Sequence, residues 1–267
     1  MTTTTMEKPR VASTLRVEEQ APGVVRVTID RAEKHNALAR PVLAELGDAI
    51  RSAGERSDLR FILLTGAGER YFAAGGDLKD LASVRDVQAT EAMMDEAGAA
   101  LDAIRRCPVP VIAHLNGDAI GGGAELALAC DMRLQASHAR IGFIQAKLAI
   151  TSAWGGGPDL FRLVGPARAL RMMARCELVD AVLALSWGLA DAVIDQGLDG
   201  SDMADFLRPL LTCPPQVLRG IKAQAIAARA GDGWNAQRLV ERDHLVRTWL
   251  HEDHWTASEK LLSKSTR

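Results

Sequence analysis

Two glycine turns and one carboxylate carry the chemistry that this sequence can do. In Asn116-Gly117-Asp118-Ala119-Ile120-Gly121-Gly122-Gly123-Ala124-Glu125-Leu126, three consecutive glycines stand between an apolar run, Pro110 to Leu115, and a segment of helix formers. Glycines in a row cost chain entropy, so they point to a backbone that approaches a partner closely or adopts positive φ. A helix that starts there presents unpaired N–H groups and the positive end of its dipole, a setting suited to a developing oxyanion. Glu125 falls in the first turn of that helix, placed as an acid or a base. The same residues also have a simpler use, because glycines let a helix pack tightly on a sheet and a first-turn glutamate is favourable without any chemistry. The glycine spacing does not fit a dinucleotide fingerprint, and no Gly-Lys-Ser/Thr follows to make a phosphate-binding loop. A second turn, Tyr71-Phe72-Ala73-Ala74-Gly75-Gly76-Asp77-Leu78-Lys79, again sets small residues before an acidic one and implies a second close-approach backbone.

The elements that must position these turns alternate. Leu15 to Val17 and Val25 to Ile29 read as a hairpin turned by Ala21-Pro22-Gly23, and Lys34-His35-Asn36-Ala37-Leu38 lies in the loop that follows. Pro41 to Ala53 is an amphipathic helix, Phe61 to Thr65 a buried strand, Val87 to Arg106 a helix, and Pro110 to Leu115 the central strand. Recurring strand–helix–strand order predicts an α/β fold with right-handed parallel crossovers. Met132-Arg133-Leu134 adds a strand, and Trp154-Gly155-Gly156-Gly157 opens another helix. From Pro166 the pattern is helical, with 167–174, 179–187, 203–211, 216–229 and 234–250 as segments. The division expected is a disordered start over 1–12, a core over 13–200 and a helical region over 201–267. Lys222, Arg229, Lys260, Lys264 and Arg267 are expected on solvated faces.

Composition narrows the function. The 267 residues are 48% hydrophobic and 25% charged, ordinary for a globular protein that buries a sizeable core. Aromatics make up 4%, Tyr71 is the single tyrosine and the formal net charge is −2, which argues against a nucleic-acid surface. Cys107, Cys130, Cys176 and Cys213 form no Cys-x-x-Cys pair, so no metal or redox centre is indicated, and His251 and His254 lack further ligands. His114 lies in the central strand and reads as a core residue. No membrane-length apolar run or secretory leader is visible, which makes the cytoplasm the expected compartment.

Taken together, Lys34 to Leu38, Phe72 to Leu78, Asn116 to Asp131 and the helical tail resemble the crotonase, or enoyl-CoA hydratase/isomerase, family over nearly the whole chain. The resemblance implies a spiral of ββα repeats with a C-terminal helical trimerisation region, assembled as a trimer or hexamer. It implies an acyl-CoA substrate, with coenzyme A part of that substrate and no separate cofactor or metal. By resemblance, the Gly76 and Gly122 N–H groups hold the thioester oxygen. Lys34, Ala37, Ala74, Gly76, Asp77, Leu78, Lys79 and Gly121 would bind the substrate or its CoA, and Trp154 either walls the acyl pocket or packs in the core. The oxyanion step is physically sound: loss of CO2 or a proton at Cα, or addition at Cβ, puts charge on the thioester oxygen, and two converging donors stabilise it by a few kcal/mol.

The pattern departs at one position. Hydrating relatives use two glutamates, the first matching Glu125 and the second lying twenty positions on, where this chain has Gln145 in Ile141-Gly142-Phe143-Ile144-Gln145. An amide cannot transfer a proton at neutral pH, so a single ionisable group is expected. The runs Gln145 to Gly157, Cys213-Pro214-Pro215-Gln216-Val217 and Glu241-Arg242-Asp243 are similar to the ethylmalonyl-CoA and methylmalonyl-CoA decarboxylase branch. Decarboxylation is therefore the first expectation and enoyl-CoA hydration or isomerisation the second. A non-catalytic RNA- or CoA-binding relative is the third, disfavoured by the charge balance. Lys147 is expected at the surface.

Overall fold

The computed structural model describes residues 14–265; the expected disordered segment 1–12 lies outside the described residues. The chain opens with the hairpin, β1 (Leu15–Ala21) antiparallel to β2 (Val24–Ile29), followed by α1 (Arg40–Gly54). Then a unit repeats: a strand in one sheet, a very short strand in a second sheet, and a helix. The first repeat is β3 (Phe61–Gly66), β4 (Tyr71–Ala73) and α2 (Val87–Arg105). The next are β5 (Val111–Leu115), β6 (Asp118–Ile120) and α3 (Gly122–Ala129), then β7 (Met132–Ala136), β8 (Arg140–Gly142) and α4 (Gly156–Val164). After α5 (Pro166–Ala174) come β9 (Val179–Asp180), α6 (Ala181–Trp187) and β10 (Ala192–Ile194). Four helices close the described chain: α7 (Ser201–Thr212), α8 (Pro215–Ala230), α9 (Trp234–Trp249) and α10 (Glu252–Ser265).

The larger sheet has the order β1-β2-β3-β5-β7-β10, parallel from β2 onward; the smaller has the order β4-β6-β8-β9. This is the expected spiral of ββα repeats. The inner strands β3 and β5 are buried along their whole length because both faces of the sheet are covered there. On β3, Ile62 and Leu64 join the main core with α1 and α2, whereas Phe61 and Leu63 face a second cluster. That cluster is capped by Met203, Phe206, Leu207 and Leu210 of α7, so the helical region begins by packing on the sheet.

Two local readings change. Val179 and Asp180 pair with β8 as a short strand before the helix starts, with Asp180 as its N-cap, accepting from the Leu183 N–H at 2.8 Å. Lys222 is buried rather than solvated: its Nζ lies 2.5 and 2.6 Å from the two Asp131 oxygens, while Asp131 also accepts from the Val111 N–H at 2.8 Å. Among the described residues, no helix is long and apolar enough to cross a membrane, and no group of three or more His, Cys, Asp or Glu could hold a metal ion.

Candidate active site

The two glycine turns meet because β4 and β6, which deliver them, are parallel neighbours in the smaller sheet. Gly75 has φ +98° and Gly121 φ +57°, conformations that glycine adopts without a Cβ penalty. A methyl group on Gly75 would lie 3.4 Å from the Gly122 nitrogen, and one on Gly123 would lie 2.0 Å from the Ala73 carbonyl oxygen. The Gly75–Gly76 turn is pinned by Leu38, whose N–H donates to the Gly75 carbonyl at 2.8 Å and whose carbonyl accepts from the Asp77 N–H at 3.2 Å. That bridge uses the groups on either side of the Gly76 N–H and leaves it outside the ladder. Gly122 is the first residue of α3, so its N–H has no intrahelical acceptor.

Glu125 sits one turn into α3 and is buried. Its Oε2 accepts from the Trp154 and Gly156 N–H groups at 2.9 and 3.0 Å, and its Oε1 accepts from Gln145 Nε2 at 3.0 Å. Burial pushes the Glu125 carboxyl above the ordinary carboxylate range, against the N–H groups of Gly156 and Trp154 and the Gln145 amide, which all favour the ionised form. Gly156 is required for this approach, since a methyl there would come within 2.5 Å of the Glu125 side chain. Gln145 points its Oε1 into buried space where it finds no hydrogen-bond partner among the described residues.

A cavity of about 400 Å³ opens over these groups, with walls that are mostly apolar. Of the residues expected at the site, Ala74, Gly76, Leu78, Gly121, Gly122, Glu125, Gln145 and Trp154 line it. Trp154 does both things open to it: it is buried in the core, and its indole edge walls the cavity against the two glycines, lying 2.3 Å from a methyl built on Gly122 and 3.6 Å from one built on Gly76. Lys34, Ala37, Asp77 and Lys79 are not among the lining residues. The Asp77 carboxylate is held by Arg31 at 3.0 Å and by the Lys79 N–H at 3.2 Å; burial raises its pKa, but these donors outweigh burial and leave it lowered. The Ala37 carbonyl accepts from the same Arg31, while the Lys34 and Lys79 side chains are exposed. Arg31, which ties the 32–38 loop to the Gly76 turn, went unread in the sequence, as did the lining residues Met93, Ile144, Leu148 and Ile150. Lys147 is exposed, as expected, and borders the cavity.

Behind the cavity, Arg229 of α8 donates to the Ala129 carbonyl at 2.9 Å and to that of Leu128, capping the C-terminus of α3. It too departs from the solvated setting expected. His114 is buried in β5, its Nδ1 3.2 Å from Thr65 Oγ1, with its pKa lowered to about 4 by burial, and it stands apart from the cavity-lining residues.

The sequence pattern of the family described as "Enoyl-CoA hydratase/isomerase" matches residues 19–261. The chain is 33% identical over 210 residues to "Methylglutaconyl-CoA hydratase, mitochondrial" of Rattus norvegicus, covering 77% of this chain and 66% of that protein. It is 29% identical over 229 residues to "Ethylmalonyl-CoA decarboxylase" of Xenopus laevis, covering 85% of this chain and 76% of that one. The first of these matches thus spans just under two thirds of its relative's length. A crystal structure of enoyl-CoA hydratase from Bacillus anthracis superposes with a TM-score of 0.87 at 28% identity, over 94% of this chain and 97% of that one.

Proposed function

The chain belongs to the enoyl-CoA hydratase/isomerase family, and from that premise we propose that it is an acyl-CoA-processing enzyme that removes CO2 from a short 2-carboxyacyl-CoA of the ethylmalonyl or methylmalonyl type. The observation that carries this reading is that, among the described residues, Glu125 is the only carboxylate in the cavity wall and that the side chain paired with it, Gln145, is an amide. Decarboxylation needs one proton transfer, and the site offers one acid. The Cα–carboxylate bond breaks, its electron pair passes into the thioester as an enolate, and CO2 leaves. The Gly76 and Gly122 N–H groups hold the enolate oxygen. Protonated Glu125 then gives its proton to Cα, forming the shortened acyl-CoA, and regains a proton from solvent. Apolar walls assist by stripping water from the departing carboxylate, and a raised Glu125 pKa suits a proton donor. Coenzyme A would run out past Leu78, with Lys79, Lys147 and Lys34 as the cations for its phosphates.

Hydration of an enoyl-CoA is the second reading, favoured by the unpartnered Gln145 Oε1, which can accept one hydrogen of a water whose other hydrogen goes to Glu125. Purified protein assayed for CO2 release from ethylmalonyl-CoA and methylmalonyl-CoA, and for water addition to crotonyl-CoA, separates the two. Release of CO2 is expected. Glu125→Gln should lower turnover by about 10²–10⁴-fold with little change in substrate binding. A folded Glu125→Gln protein with wild-type turnover overturns the assignment of the acid, and crotonyl-CoA hydration without CO2 release overturns the reaction.

A further inference from the structure

Besides Gln145, the Glu125 carboxylate is held by helix α3 that carries it and by the segment 154–156 whose N–H groups donate to it, and these two pieces of chain have a common anchor. Asp159, in the first turn of α4, has only 9% of its side chain exposed and accepts from two guanidinium groups. Arg105 of α2 lies 3.0 Å away, and its Nη2 also donates to the Trp154 carbonyl at 3.2 Å. Gly155 makes room for that guanidinium, since a methyl there would lie 2.8 Å from Arg105 Nη2. Arg229 of α8 lies 3.1 Å away and donates to the last carbonyls of α3. The path Trp154–Arg105–Asp159–Arg229–α3 is therefore closed through Glu125 itself, which accepts from the Trp154 N–H.

We propose that Asp159 is a positioning residue for the reacting carboxylate. It locks the Trp154 loop and the C-terminus of α3 to each other, so that the donors to Glu125 and the Gly122 N–H keep one geometry relative to the substrate. The proposal rests on the reading of Glu125 as the acid for its effect on turnover, and on packing alone for its effect on the backbone. Two guanidinium groups that share one carboxylate repel each other when its charge is removed, so loss of the charge loosens both pieces together.

Asp159→Asn, which keeps the shape and removes the charge, tests this by hydrogen exchange read by mass spectrometry alongside kinetics. The expected result is faster exchange in segments 121–129 and 153–157 together, with the other segments unchanged. On the best acyl-CoA substrate, kcat should fall about 10–10²-fold, the scale of a small misplacement transmitted to the reacting groups, with KM changed less than about twofold. Asp159→Glu should recover part of the loss. Faster exchange in only one segment, a uniform rise across the chain, or no change overturns the proposal. If Asp159→Asn fails to fold, Arg229→Lys, which keeps the charge but loses the fork, should give the same paired exchange pattern, and its absence there is equally decisive. Should the wild-type protein turn over no acyl-CoA, the reading of Glu125 falls while the exchange pattern still decides on Asp159.

Discussion

Glu125 binds a proton more tightly in the folded protein than in the unfolded chain, because burial raises its pKa from the ordinary 4.5. A group raised on folding supports the fold fully below its unfolded pKa, and that support is lost as pH rises through the folded value. The window therefore opens at the ordinary glutamate value and closes at the raised one. Glu125→Gln has no proton to lose there, so its stability relative to wild type should rise with pH across that window, read from urea unfolding at a series of pH values. A difference independent of pH would contradict it. Glu125 and the glycines were legible in the sequence because a backbone requirement leaves its mark on residue type: Gly123 and Gly156 admit no Cβ at all. The tie between Asp77 and Arg31 was not legible, because the two lie 46 positions apart and no local pattern marks such a pair.

Among elements, those that carry a long periodic signal were readable and those that do not were missed. Strands β4, β6 and β8 have three residues each, too short for an alternating pattern, yet they deliver both glycine turns and the approach to Gln145. Helix α8 showed its amphipathic pattern, but not that Lys222 and Arg229 turn inward, because a cation in a helical repeat looks the same whether it meets water or a buried carboxylate. The Lys222–Asp131 pair has only 2% and 18% of its two side chains exposed, so removing one partner leaves an uncompensated charge. Lys222→Ala is expected to cost about 3–5 kcal/mol of unfolding free energy. A loss within about 1 kcal/mol, the range of a surface pair, would mean that α8 is not docked through this contact.

At the scale of the whole molecule, the C-terminal helices leave much apolar surface uncovered by the other described residues. No residue of α9 is buried, and Leu239, Leu245, Trp249, Leu250, Trp255 and Leu261 are all more than half exposed. Patches of that kind mark association surfaces, and closed symmetric assemblies are the usual way to cover them. A trimer or hexamer is the expected state in sedimentation at micromolar concentration. Charged replacements at Trp249 and Leu250 should shift it to smaller species; a wild-type monomer under those conditions would contradict the expectation.

The 70 positions that separate Asp159 from Arg229 also set an order of events during synthesis. Every residue of the cavity wall, from Ala74 to Trp154, leaves the ribosome before α8 exists. At ordinary translation speeds of about 5–20 residues per second, roughly 4–14 s pass between the making of Asp159 and the arrival of its second partner. Through that interval the nascent chain holds both glycine turns and its acid, but the far end of the acid's helix has nothing to close against.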